Sequence, residues 1–288
     1  MNFLSEARFL VLALSLLALP VHVQAQASGT IVPEQEYDKK IKATERVEAL
    51  TSELFGDSVS IYNGSTEFVQ TDIDIPGNNN LPVRLARRLK IAIRPPQETI
   101  GGFADWEIEV PYIEAVVDKY IGWKVTGSNP NARCSSGLPP QVSTSYFRLD
   151  EIWHGTSMHI PGEGARELYK NDQPKVPAVS DGQSYPWITR DYYRIKCAAS
   201  TINGYAGESF VAVSPQGVKY HFNHGSHVLA STLGKGSEYP WEIAERIHVY
   251  LRATKVEDRF GNYVDYNYSG NQLTSITSSD GRSISITY

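Results

Sequence analysis

Residues Val256–Tyr288 read VEDRFGNYVDYNYSGNQLTSITSSDGRSISITY. Turn formers interrupt this stretch at near-regular intervals: Arg259-Phe260-Gly261-Asn262, Ser269-Gly270-Asn271 and Ser279-Asp280-Gly281-Arg282. Between the turns, apolar or aromatic residues alternate with polar ones. Val264, Tyr266 and Tyr268 share one parity, as do Ile284, Ile286 and Tyr288. Alternate side chains of an extended chain point to opposite faces, so this is the pattern of strands with one buried face. The spacing also recurs. Gly261 to Gly281 is 20 residues, and Tyr268 to Tyr288 is 20 again. Strand–turn–strand units repeating at that interval predict a stacked β-array.

The rest of the chain has a matching texture. Its 288 residues include 17 Tyr and 22 Gly but only 2 Met, a balance that favours strands and turns. The net charge of −5 gives no electrostatic footprint for nucleic acid. Residues 1–25 read as a signal peptide: Arg8, an apolar run from Phe9 to Leu19, Pro20, then small residues around Ala25. That run is too short to span a bilayer, so no stable membrane span is expected after cleavage. The expected location is periplasmic, cell-surface or secreted. Cys134 and Cys197 are the only cysteines, and in an exported chain they predict one disulfide. Two unrelated buried thiols are the alternative.

Residues 26–55 form a polar leader in which Tyr37, Ile41, Val47, Leu50 and Leu54 fall near helical spacing, giving one amphipathic helix. From residue 56 to 252 the pattern is that of a β-rich domain. Short alternating tracts cover Glu67–Ile75, Leu81–Ile93 and Trp106–Val110, while Tyr112–Trp123 is strand or short helix. Gly127–Gln141 is a long loop, Ile152–Ile160 a strand, and Ser209–Phe222 a hairpin that turns at Pro215-Gln216-Gly217. Residues 253–288 are the repeats.

Several constellations invite a chemical reading. Asp72 and Asp74 could be an acid–base or calcium pair, but Ile73 and Ile75 take the opposite parity, so a solvated strand face is expected. Arg84, Arg87, Arg88, Lys90 and Arg94 form one basic run without the Gly-rich loop of a phosphate site; it is expected to pair with nearby acids or blunt a strand edge. Ser157 between His154 and His159 raises a serine hydrolase, yet the Gly-x-Ser-x-Gly elbow is absent. His221, His224 and His227 could hold zinc only if a turn made them converge, because odd spacing on a strand places His224 on the other face. Tyr185-Pro186-Trp187 and Tyr239-Pro240-Trp241 offer Trp187 and Trp241 for stacking on sugars, or equally for packing over a sheet edge. Nothing in the sequence calls for a cofactor, and no catalytic residue is assigned.

The closing stretch resembles the start of a tyrosine-aspartate (YD) repeat array of Rhs proteins and their teneurin relatives. Gly261, Tyr266, Tyr268 and Leu273 match one unit, and Asp280, Gly281, Arg282 and Tyr288 its second turn and closing tyrosine. Ser269 stands where the namesake Asp would be, and Gly270-Asn271 replaces Gly-Arg. A second tract is similar to the segment that leads into such repeats: Phe55-Gly56-Asp57, Asn63-Gly64, Thr71-Asp72-Ile73, Pro76-Gly77, Leu81-Pro82 and Arg87-Arg88, with Asn63 in place of the usual Thr. The resemblance implies a mainly β chain, in which an antiparallel lead-in domain opens the array that starts a β shell. It further implies a non-catalytic part of an exported protein whose shell encloses and delivers a C-terminal effector or toxin; no effector domain is present in these residues. The implied partners are the remainder of the repeat shell or other β-repeat segments. Cell-surface glycans are the partner under the alternative of a secreted carbohydrate- or surface-binding β protein, with a secreted serine hydrolase as the third reading. Ending on the closing Tyr288, such an array would expose a strand edge and is expected to self-associate or to be unstable at its C-terminal end.

Overall fold

A computed structural model of the chain describes residues 30–31, 57–59, 66–90, 106–144, 146–172, 181–235 and 242–288. The expected signal peptide and amphipathic helix, together with Arg94 and Trp241, lie outside the described residues. The protein is mainly β, as expected. Its strands are β1 (Thr30–Ile31), β2 (Asp57–Val59), β3 (Thr66–Ile75), β4 (Val83–Lys90), β5 (Glu107–Ile108), β6 (Tyr112–Asp118) and β7 (Thr156–Ile160). They continue with β8 (Gly164–Glu167), β9 (Tyr169–Lys170), β10 (Trp187–Ile188), β11 (Arg194–Ala198), β12 (Ser209–Val213) and β13 (Lys219–Gly234). The last four are β14 (Ile243–Glu257), β15 (Tyr263–Ser269), β16 (Gln272–Ser278) and β17 (Ser283–Ser285). The one helix among the described residues, α1 (Leu149–Ile152), takes in the first residue of the tract expected to be a strand. Asp150 and Glu151 sit in its first turn, where the helix dipole favours acids, and the strand begins only at Thr156.

The described residues form two sheets. The smaller is the lead-in sheet, in the order β2-β3-β4-β5. The larger runs β17-β16-β15-β14-β13-β12-β11-β10-β9, and its two long central strands branch. The C-terminal part of β14 pairs with β15, while Arg246–Arg252 pairs with β6, which carries β7 and β8. Register shifts at His221–His224 and Ala230–Leu233 of β13 bend the pair, so the wings fold toward each other. Between them lies the main core, where Ile113, Met158 and Leu251 meet Ile195, Phe210 and Phe222.

A second core joins the sheets. Leu81 and Val83 of the lead-in hairpin pack against Val264, Tyr266, Leu273, Ile276 and Ile284 of the repeats. Val264, Tyr266 and Ile284 carry the parity read from the sequence, while Leu273 and Ile276, three apart on β16, reach the same face through a register shift opposite Asn267–Tyr268; one face of β15–β17 is thus buried under the lead-in sheet. The two tracts that carry the family resemblance are therefore in contact, some 200 residues apart in sequence.

The disulfide between Cys134 and Cys197 is formed, with Cα atoms 5.5 Å apart, and ties the 127–141 loop to β11. No helix among the described residues is long and apolar enough to cross a membrane.

Candidate functional site

Three of the hairpin turns share one geometry, while Gly270-Asn271 closes a tighter two-residue loop between β15 and β16. At Ser278–Arg282 the Ser278 N–H donates to the Arg282 carbonyl at 2.9 Å, and the Gly281 N–H to the Ser278 carbonyl at 3.0 Å. At Asp258–Asn262 the matching bonds are 2.9 and 3.3 Å. At Ser214–Val218 they are 2.8 and 2.9 Å. The third loop residue is Gly217, Gly261 or Gly281, with φ of 87°, 87° and 88°. A three-residue hairpin loop needs a left-handed residue there, and Gly adopts that conformation without steric cost. The hairpin at Ser209–Phe222 thus shares the turn of the repeats.

The closing tyrosines repeat as well. Tyr268 Oη donates to the Ala253 carbonyl at 2.9 Å, and Tyr288 Oη donates to the Leu273 carbonyl at 3.0 Å. Donors and acceptors are each 20 residues apart, so one unit maps onto the next. Burial pushes the Tyr268 hydroxyl pKa up, which keeps it a proton donor.

The Asp280-Gly281-Arg282 turn is also where the array grips the lead-in hairpin. Arg282 Nη1 donates to the Ile75 carbonyl at 2.9 Å. Its Nη2 donates to Asn79 Oδ1 at 3.0 Å and to the Leu81 carbonyl at 3.2 Å. Asp280 accepts from Arg282 Nε at 2.9 Å and from Asn79 Nδ2 at 3.2 Å. The Arg282 side-chain hydrogen bond holds the Asp280 carboxyl well below its ordinary range, at about 2. A Cβ at Gly77 would lie 2.2 Å from Arg282 Cζ, so the Pro76-Gly77 turn admits the guanidinium only because residue 77 has no side chain.

Deeper between the sheets sits a buried polar cluster. Arg88 of β4 is fully buried. Its Nη2 donates to Tyr112 Oη at 2.6 Å and to Glu107 Oε2 at 3.2 Å. Glu109 Oε2 and Glu67 Oε2 lie 3.2 and 3.5 Å from the same guanidinium. Arg88 Nη1 is 3.0 Å from the His159 ring nitrogens, and His159 Nε2 is 2.8 Å from Glu109 Oε1. Burial opposes the charge on Arg88, yet Tyr112, Glu109, Glu107 and Glu67 outweigh it and raise its pKa. The geometry of the cluster locks β3, β4 and β5 onto β6 and β7.

The other residues singled out by sequence fall as follows. Asp72 makes a two-pronged pair with Arg87, both bonds 2.6 Å, at the exposed side of the lead-in sheet, and Asp74 stands exposed opposite Arg84. The basic run thus divides: Arg87 pairs at the surface and Arg88 inside, while Lys90 closes β4. Ser157 Oγ donates to Glu114 Oε1 at 3.2 Å, so its proton is held by a carboxylate and not by an imidazole. His154 is exposed between α1 and β7, and His159 faces Arg88. His221, His224 and His227 lie along one continuous strand and do not converge. Among the described residues, the only His, Cys, Asp or Glu groups close enough to share an ion are Cys134, Cys197 and Glu208, and both of those sulfurs are in the disulfide. Trp187 is buried in the main core and donates from Nε1 to the Cys134 carbonyl at 2.8 Å. β10 pairs on both sides, with β9 and β11, which turns that ring inward and away from any sugar.

Sequence reasoning missed the carboxylates around Arg88 and the partners of Arg282. The signal for the first was Glu107 and Glu109 flanking Ile108 in a tract read only for its apolar parity. No protein-family model and no curated protein matches the chain.

Proposed function

We propose that the chain is a non-catalytic scaffold segment of an exported Rhs/YD-repeat type of protein, in which the lead-in sheet seats the first turns of a repeat array. The observation that carries this reading is the recurrence of one unit in hydrogen bonds: Tyr268 to Ala253, then Tyr288 to Leu273, each after the same Gly turn. The docking of Asp280 and Arg282 on Ile75–Leu81 gives the first units a fixed starting angle. A repeat cannot bury its apolar face alone, so an array needs such a cap at its start. Export rests on the signal-like run from Arg8 to Leu19, and the disulfide is in keeping with an oxidising compartment. The role is mechanical: the segment closes one end of a β shell, and further repeat units are its partners. Enclosure and delivery of a C-terminal effector is the setting that the resemblance implies.

The coding sequence beyond the Tyr288 codon tests this. In-frame units with a Gly turn and a closing Tyr about 20 residues apart are the expected result. A stop codon with no such units would overturn it.

A further inference from the structure

The face of β13–β15 turned away from the lead-in sheet carries an open cleft of about 670 Å³. Its floor is drawn from three strands: His221 and Asn223, then Thr254 and Lys255, then Asp265 and Asn267. Asp265 and Asn267 alternate with the buried Val264 and Tyr266, which places them on this opposite face. We propose that this cleft binds a neutral, polyhydroxylated saccharide.

Charge narrows the ligand. Lys255 and Asp265, cross-strand neighbours with Nζ and Oδ1 3.8 Å apart, offset each other. Burial lowers the pKa of His221, and burial likewise lowers that of His224, so both imidazoles are neutral at pH 7. The cleft therefore has no net charge to hold a phosphate or a cation, and its histidines and Asp265 do not converge as metal ligands. What it offers is a set of neutral donors and acceptors, which suits sugar hydroxyl and acylamino groups.

One of these groups lacks a protein partner. Nε2 of His221 is buried with no hydrogen bond, a state that costs free energy until a ligand or water supplies one. Asn267 donates from Nδ2 to Ser275 Oγ at 3.0 Å, which fixes the amide and leaves Oδ1 as an acceptor. The walls are held in place beforehand. His224 stacks on Tyr268 with centroids 4.3 Å apart and donates from Nε2 to the Gly270 carbonyl at 2.9 Å. Asn203 bonds both backbone groups of Gly225, at 2.7 and 3.0 Å. Ile202, 67% exposed, gives the rim an apolar surface for the C–H face of a sugar ring. The volume lies within the ordinary range for small-molecule sites. The proposal is independent of the repeat-scaffold reading, because it needs no residue beyond Tyr288.

Calorimetric titration of the full chain with N,N′-diacetylchitobiose, cellobiose and maltotriose tests it, with glucuronate and a dipeptide amide as comparison ligands. Saturable binding of at least one neutral sugar is expected, weakened about tenfold or more by Asn267→Ala and by His221→Ala. Tyr169→Ala, at an exposed tyrosine outside the cleft, is expected to leave it unchanged. Asn267 is exposed, so its variant folds even if His221→Ala does not. No saturable binding of any of the sugars, undiminished binding by Asn267→Ala, or tighter binding of glucuronate or the dipeptide amide would overturn the proposal.

Discussion

The guanidinium of Arg282 donates to the backbone carbonyl of Ile75 at 2.9 Å, joining the second repeat turn to the lead-in hairpin across 207 residues of chain. Four further bonds, to Asn79, Leu81 and both oxygens of Asp280, complete the grip. Arg282→Ala would leave the Ile75 and Leu81 carbonyls without this donor at a site whose side chain is 10% exposed. A loss of about 2–4 kcal/mol in urea unfolding is expected. Arg282→Lys should recover less than half of it, because a point ammonium cannot span the planar fork. Gly77→Ala should mimic the loss by occupying the guanidinium's place. Unchanged midpoints in all three variants would refute the clamp.

Asp280 makes that clamp pH-sensitive. Its carboxyl is held at about 2, chiefly by the Arg282 side chain, against 3.8 when unperturbed. A depressed folded-state pKa means stability that is fully present above the unfolded value and lost as pH falls from about 4 through about 2. Asp280→Asn should therefore be less stable than the wild type at pH 7, with the gap closing near pH 2. Asp258 and Asp191 are also held low and add slope of the same sign to both proteins. The difference between the two stability curves isolates Asp280; a constant gap across that window would count against the assignment.

Where one face of a strand is buried and the other wet, the sequence was legible. Val264, Tyr266 and Ile284 alternate with polar neighbours, and the Gly positions marked the loops, so these strands and turns could be read directly. Along β14 the period-2 signal is erased, because Val249, Tyr250, Leu251, Arg252 and Ala253 are all buried. Arg88 was hidden for the opposite reason: a charged residue in a basic run reads as surface, and only the fold brings Glu67, Glu107 and Glu109 around it. Trp187 could be read as a ligand aromatic or as a ring packed over the sheet, and its burial in the main core makes it the second. Odd spacing put His224 on the face opposite His221, but the register shifts between them bring both to one cleft, whose remaining walls come from β14 and β15 and are not reported by local spacing.

The disulfide should contribute in proportion to the loop it closes. Cys134 and Cys197 are 63 residues apart, which in the chain-entropy model corresponds to about 4 kcal/mol. The paired Cys134→Ala and Cys197→Ala variant should lose a comparable amount in denaturant unfolding. Reductant should destabilise the wild type toward that variant and leave the variant itself unaffected. Cys134 also presents its carbonyl to Trp187 Nε1, so near-ultraviolet circular dichroism of Trp187 should report local loosening of the loop.

The strongest dependence on one side chain is expected at Arg88. Three carboxylates, Glu67, Glu107 and Glu109, converge on its guanidinium, and the side chains of Glu107 and Glu109 are 8% and 1% exposed. Desolvating these groups is costly, and the shared cation offsets the cost only while it is present. Arg88→Leu removes the positive charge but leaves the acids buried, so a loss of about 3–5 kcal/mol is expected. Adding Glu107→Gln and Glu109→Gln should restore part of that loss, since neutral amides no longer repel each other. The same two substitutions in the wild-type background should instead be destabilising, because they strip Arg88 of two of its partners. Opposite signs in the two backgrounds are the mark of direct coupling. If the Gln substitutions have the same effect with Arg88 present or absent, the acids and Arg88 do not act as one unit, and the interlock between the sheets must rest on the Arg282 bonds and the apolar contacts around Leu81 and Val83.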